Sequence, residues 1–313
     1  MKILVTGGEG FIGSYVVEKL SRMGHRVTTL DINETYDVID RKDLEKLYIW
    51  RKRNWKKVKT IQGDVTTPLD RYCVNNQDVV IHLASYPRAK IVNEHPELGV
   101  ENIVGGTTGL LEKCIGNNVK RFVYVSSSMI YGNFMDGTNE DYTANPNNIY
   151  GEAKLFGEKI TKQFHRTKGL EYVVARPSGV YGPGDIPDRV VSKFFSAAMN
   201  NETLEVHNTD NKVDFTYVED AAEGIVRCAL EKKAANNTFN ITAGKSVSLG
   251  AAAEKIIKLC NSRSRIKDVG PNKLYPDRGT LDISRATALL KYRPQYNFDQ
   301  GIIKYYEWLQ NKI

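Results

Sequence analysis

Cysteine is scarce in this chain of 313 residues, and the four present (Cys73, Cys114, Cys228 and Cys260) stand far apart. None forms a CxxC pair or a metal-ligand spacing, which excludes a disulfide framework and a structural zinc site and suits a reducing compartment. Long apolar runs are missing as well. No segment approaches the roughly 18 apolar residues of a membrane span, and the apolar start Ile3-Leu4-Val5 is too short for a secretory leader. There is no internal repeat and no low-complexity linker. These absences describe a soluble, cytoplasmic protein with no metal and no membrane partner, able to build one large α/β domain or two modest ones.

What the chain has in excess is positive charge, a formal +7. A basic protein invites a nucleic-acid reading, but the location of the charge argues against it. Residues 41–59 hold nine Lys or Arg against Asp43 and Glu45, and the rest of the chain balances. Within that segment Leu44, Leu47, Tyr48, Arg51 and Trp55 fall near helical spacing, so it reads as a surface helix with a charged outer face and no nucleic acid is expected.

Lys2 to Thr6 is a short apolar strand, followed by GGEGFIG and a periodic apolar run through Val16, Val17 and Leu20. In that context glycines let the backbone approach a pyrophosphate at a helix N-terminus. Arg26 to Leu30 makes a second strand ending in Asp31, an acid suited to ribose hydroxyls and hostile to a 2′-phosphate, which favours NAD over NADP. Further strands are expected at 58–62, 78–83, 121–125 and 171–175, and helices at 96–118 and from Tyr150 to about Lys168. Such alternation means a doubly wound parallel sheet of Rossmann type, with ligands beyond the carboxyl ends of its strands. Residues 1–176 are assigned to this dinucleotide domain, with some later segments returning to it. Residues 177–313 are assigned mainly to a smaller C-terminal substrate lobe, with strands at 204–206 and 213–217 and helices at 190–199, 218–230, 249–260, 284–290 and 298–310.

The strand at 121–125 runs into three serines, Ser126 to Ser128. Tyr150 and Lys154 are four apart on one helical face. A phenol beside an ammonium has its ionised form favoured, which makes a general base for near-neutral pH. His82, in a buried strand pattern, reads as packed and hydrogen-bonded.

Taken together, TGGEGFIG, Asp31, GDV, HLAS, NIVGGT, VSSSMIYG, YGEAK, RPSGVYGPG and DFTYVEDAAEGI resemble the motifs of the extended short-chain dehydrogenase/reductase family, in their order. The likeness is to its nucleotide-sugar epimerase and dehydratase group, of UDP-glucose 4-epimerase type, and spans nearly the whole chain. The resemblance implies catalytic roles for Ser127, Tyr150 and Lys154, with Tyr150 as base and Lys154 on the nicotinamide ribose. It implies NAD contacts at Gly7, Gly10, Phe11, Ile12, Gly13, Asp31, Asn33, Asp64, Val65, Leu83, Ala84, Ser85, Asn102, Val125 and Pro177, besides Tyr150 and Lys154. Substrate contacts are implied at Arg88, Ser127, Ser128, Tyr150, Gly179, Lys212 and Arg278, and a homodimer through a four-helix bundle.

The departures from the family pattern narrow the chemistry. Family dehydratases carry an Asp-Glu pair after the catalytic residue, where this chain has Ser128 and Met129, so 4,6-dehydration is not expected. The family's usual Asn in RxxNVYGP is Gly179 here, its usual Arg before DF is Val213, and Arg278 matches a second family arginine that contacts phosphate. The expected activity is NAD-dependent oxidation at C4 of a nucleotide-activated sugar through a keto-sugar, with 4-epimerisation as the outcome. The alternatives are a 4-dehydrogenase that releases the keto product and a non-catalytic NAD-binding scaffold.

Overall fold

The computed structural model describes residues 1–33, 39–86 and 88–312. Its main sheet is built from β1 (Lys2–Thr6), β2 (Arg26–Asp31), β3 (Lys59–Gln62), β4 (Val79–His82), β5 (Arg121–Val125), β6 (Glu171–Pro177) and a later strand, Asn237–Ile241. The strand order is β3-β2-β1-β4-β5-β6 followed by Asn237–Ile241, and every pairing is parallel. This is the Rossmann-like α/β fold that the alternation of elements implies.

Successive residues of a strand face opposite ways, and the core divides accordingly. Ile3 and Val5 join a cluster with Val16, Val17, Ile225 and Val226, from helices α1 (Phe11–Arg22) and Val218–Leu230. Leu4 joins the opposite cluster with Leu110, Leu111 and Phe122. Both strand faces are therefore apolar, which is why the strands read as continuous hydrophobic runs. The basic segment forms α2 (Arg41–Lys52), capped by Asp40 accepting from the Lys42 amide.

Two elements differ from the sequence expectation. The helix expected at 96–118 is preceded by α3 (Ala89–Glu94) and is itself interrupted, with α4 (Pro96–Leu98), a π-helical turn at Gly99–Gly105 and α5 (Gly106–Gly116). A π turn spreads the local hydrogen bonding and re-aims side chains, a feature common at functional sites. Here Asn102 falls within it.

The strand expected at 213–217 pairs as a ladder only at its start. In the second lobe, α6 (Ile149–Lys168) and β6 are followed by α7 (Val190–Met199), β7 (Leu204–Val206) and β8 (Lys212–Val213). After β8 the chain leaves its partner, and Thr216 instead exchanges backbone hydrogen bonds with the crossing, Thr216 N to Gly179 O and Tyr181 N to Thr216 O. The chain continues through α8 (Val218–Leu230), then β9 (Asn237–Ile241), the seventh strand of the main sheet, β10 (Val247–Ser248), α9 (Leu249–Leu259), β11 (Ile266–Asp268), α10 (Ser284–Leu290) and α11 (Phe298–Lys312). The polar residues of β9 hid it in the sequence. Its Asn240 is buried because it is fully engaged, accepting from the Tyr131 hydroxyl and donating to the Asp282 carbonyl, while its amide donates to Glu140. A third core, with Phe194, Phe195, Phe215, Ile256 and Ile302, holds the second lobe together.

Candidate active site

The carboxyl ends of β1, β2, β4, β5 and β6 open into one cleft. Its floor is the turn from β1 into α1. Gly7 adopts φ +69°, and a Cβ on Gly13 would lie 2.0 Å from the Gly7 carbonyl oxygen. Gly10 begins α1 with no side chain capping it, leaving the first amides of the helix directed at the cleft, where they suit an anion. Asp31 stands at the end of β2 with one carboxylate oxygen accepting from the Glu9 amide (2.8 Å) and the other from the Asn33 amide (3.0 Å). Burial pushes its pKa up and those amides pull it back.

The expected cofactor residues Gly7, Gly10, Phe11, Ile12, Gly13, Asp31, Asp64, Val65, Leu83, Ala84, Ser85, Asn102, Val125 and Pro177 all line this cleft, together with Ser127, Tyr150, Lys154 and Gly179. Asn33 stands beside it, bonded to Asp31. The Asn102 side-chain oxygen and the Ser126 hydroxyl are buried without a hydrogen-bond partner. Buried polar atoms are normally paired, so these two are oriented for something the chain does not supply. A glycine floor with no room for side chains, an uncapped helix start, a ribose-type acid and unpaired polar groups fit a dinucleotide.

Above this floor, α6 carries Tyr150 and Lys154. The helix starts at Asn148, whose side chain accepts from the Gly151 amide (2.8 Å). Lys154 is buried, and its ammonium donates to the Val125 carbonyl at 3.0 Å, which aims it at the end of β5. Tyr150 keeps part of its surface open and shares a hydrogen bond with Ser127. Burial raises the Tyr150 pKa, while the positive charge of Arg189 and the Ser127 hydrogen bond pull it down.

The expected source of that pull was Lys154. The structure gives it to Arg189 and Ser127 because burial lowers the Lys154 pKa to about 7, with only Glu158 opposing, and its ammonium stands 5.9 Å from the phenol ring centre. His82 is wholly internal, bridging the hydroxyls of Thr6 (2.7 Å) and Thr107 (3.0 Å), and burial holds its pKa at about 3.

Other expected substrate residues lie outside the cleft lining. Ser128 is buried in the turn Ser128–Tyr131. Arg88 pairs with Asp188 at 2.8 Å, and Lys212 with Asp136 at 2.9 Å. Among the described residues Arg278 forms no ion pair, and its Nε is buried without a partner.

Gly179 has φ +50°, and a Cβ there would lie 2.6 Å from Val213 Cγ1. The two departures from the family pattern thus touch. At these two positions the chain packs a glycine against a valine.

Sequence reasoning missed Tyr48, Arg51, Asp185, Ile186 and Arg189, all of which line the cleft. Arg51 is 1% exposed, donates twice to the Gly184 carbonyl (2.8 and 3.0 Å) and once to that of Glu9 (3.3 Å), and so joins the glycine loop to the crossing. Its place at helical spacing with Leu44 and Leu47 was the signal that it faces inward. Lys52 pairs with buried Glu9, and Arg53 lies over the Trp50 ring at 3.4 Å, so cations of the basic segment have partners within the chain.

Among the described residues no helix is long and apolar enough to cross a membrane.

The whole chain aligns with proteins of known kind. It is 29% identical over 323 residues to UDP-glucuronate 4-epimerase of Thermodesulfobacterium geofontis, covering 99% of this chain and 96% of that one. It is 28% identical over 322 residues to a dTDP-glucose 4,6-dehydratase of Streptomyces niveus, covering 99% and 93%. The crystal structure of UDP-glucuronic acid 4-epimerase from Bacillus cereus, in complex with UDP-glucuronic acid and NAD, superposes over 100% of both chains with a TM-score of 0.92 at 26% identity. A family profile spans residues 3–242, covering the glycine floor, the Tyr150–Lys154 helix and the crossing. The chain therefore belongs to the NAD dependent epimerase/dehydratase family.

Proposed function

We propose that this enzyme is a nucleotide-sugar 4-epimerase, in which Ser127, Tyr150 and Lys154 handle the proton and hold the reactants while the sugar is oxidised at C4 and then reduced from its other face. The observation that carries the reading is the convergence of those three side chains on the cofactor cleft, with Tyr150 hydrogen-bonded to Ser127 and partly open. When bound, NAD supplies the oxidising power, accepting a hydrogen with its electron pair from the sugar carbon and giving it back. Tyr150 takes the hydroxyl proton as the C–O bond becomes a carbonyl, and Ser127 and Arg189 stabilise the negative oxygen of the phenolate. Lys154, at the end of β5, would hold the cofactor's ribose. Tyr150 then returns the proton to the carbonyl oxygen of the keto-sugar, which restores the alcohol and the base.

Relatives include dehydratases as well as epimerases, so the site has to choose between them. Elimination of water needs an acid and a base beside the sugar. The positions after Ser127 hold a hydroxyl and a thioether, Ser128 and Met129, both buried. Neither performs that step, which favours epimerisation over 4,6-dehydration.

Arg278, a cation with no carboxylate partner among the described residues and an unpaired Nε, is the side chain best suited to the substrate's diphosphate. Incubating the purified protein with UDP-glucose and UDP-glucuronate tests the reading. The expected result is the C4 isomer with no net NADH; stoichiometric keto-sugar would instead identify a 4-dehydrogenase.

We also infer a homodimer formed by residues 96–116 and α6. Val100 is 59% and Phe156 44% exposed there, apolar area that a second copy would cover. Light scattering is expected to return the mass of two chains, and a monomer at micromolar concentration would rule the interface out.

A further inference from the structure

Tyr150, Lys154 and Glu158 follow one another at intervals of four on α6, and so lie along a single face about 6 Å apart along the axis. The first two face the cleft. Glu158 does not line it, is 1% exposed and has no evident reason to be an acid in a buried position. It is held by Arg176 of β6 in a two-pronged pair, Nε to Oε1 at 2.9 Å and Nη2 to Oε2 at 2.7 Å. Arg176 is also buried, and it donates in addition to the Tyr131 hydroxyl (2.8 Å) and the Glu140 carbonyl (3.0 Å). A buried ion pair of this kind contributes little net stability compared with apolar residues of the same size, which leaves its purpose open.

We propose that Glu158 is a positioning residue for Lys154. Its carboxylate, locked in place by Arg176, is the counter-charge one helical turn behind the ammonium that holds Lys154 in its charged form, while the Val125 carbonyl aims it at the cleft.

The surroundings of Lys154 single out this partner. From β5 it meets the Tyr124 ring, 5.4 Å from the ammonium, and the Val125 carbonyl. From β4 it meets His82, kept neutral by burial and by the field of Lys154 itself. From its own helix it meets Tyr150 and Glu158. Of these groups only Glu158 is a carboxylate, and it is the influence that opposes the burial of Lys154. Lys162, 3.8 Å from Glu158 and partly exposed, and Arg176 share that charge from the far side. Arg176 also donates to the Tyr131 hydroxyl and the Glu140 carbonyl, which fixes its guanidinium beside Glu158.

The proposal rests on the role given to Lys154 above, but its test does not. Protein carrying 13C-labelled lysine is titrated by NMR without cofactor or substrate, and the Lys154 signal is assigned by its loss in Lys154→Met. The buried amine should titrate near 7, far from the exposed lysines. Glu158→Gln should lower that midpoint by roughly one to three pH units, the usual effect of removing an adjacent opposite charge, and Glu158→Asp, which keeps the charge, should restore most of it. A midpoint unchanged in Glu158→Gln overturns the proposal. If that variant fails to fold because Arg176 is left unpaired, the double variant Glu158→Gln, Arg176→Met is compared with Arg176→Met, and a lower midpoint in the double variant is expected; equal midpoints overturn the proposal. A shift observed in a protein that turns over no nucleotide sugar would leave this proposal standing and remove only the functional reading.

Discussion

Tyr150→Phe is expected to lower kcat by about 10²- to 10⁴-fold, the range that a positioned acid-base group supplies, while NAD binding stays close to that of the parent protein. The substitution removes one oxygen. The ring remains, so the packing of α6 against the end of β5 is preserved, as are Lys154 and its hydrogen bond to the Val125 carbonyl. What is lost is the only group in the Ser127–Tyr150–Lys154 cluster that can both accept the sugar's proton and return it. Ser127 is too weak a base to replace it, and Lys154 is engaged by a carbonyl. Turnover measured with the preferred nucleotide sugar, alongside the rise in melting temperature on adding NAD, separates chemistry from binding. Unchanged turnover would refute the assignment of the base. Loss of the NAD-induced rise would show that the phenol hydroxyl holds the cofactor as well.

The second large effect is expected at the floor of the cleft. Gly13→Ala places a methyl group 2.0 Å from the Gly7 carbonyl oxygen and 2.9 Å from both the Gly7 carbonyl carbon and the Gly8 Cα. All three are backbone atoms, so no side chain can swing aside. Gly7 is tied to β2 by its amide donating to the Leu30 carbonyl, and Gly10 is tied to Gly7 in the same way. Relief therefore requires the whole turn between β1 and α1 to shift. Overpacking of this kind costs about 1–3 kcal/mol or more, and the shift displaces the amides that the uncapped start of α1 presents to the cleft. The expected result is a lower unfolding midpoint in urea together with loss of the NAD-induced stabilisation. A protein that keeps both would show that the loop deforms more easily than its contacts imply.

Much of this was legible in the sequence because it depends on local pattern. A strand buried on both faces is largely apolar, so β1, β4 and β5 are visible as runs. The turn between β1 and α1 needs glycine for steric reasons, so its position is visible from composition. Tyr150 and Lys154 share a face because four residues nearly complete a helical turn. Even the inward turn of Arg51 is implied by its spacing from Leu44 and Leu47.

Other features could not be read because they depend on what lies across space. β9 is half polar, and Asn240 is at home in a sheet only because Tyr131, Glu140 and Asp282 satisfy it from three separate parts of the chain. Arg189 was not seen as a partner of Tyr150 because 39 residues and a domain crossing separate them in sequence. The contact between Gly179 and Val213 likewise turned two separate departures from the family pattern into one packed site.

By itself, then, the sequence determined the class of fold, the cofactor and the placing of Tyr150 and Lys154 on one face of α6, since these follow from local pattern and from spacing along a helix or strand. Tertiary structure alone decided how those residues are charged. Burial drives Lys154 towards neutrality and Tyr150 away from ionisation, and Glu158, Arg189 and Ser127 oppose it. Desolvation and Coulomb forces act through distance in space, which the order of residues does not record.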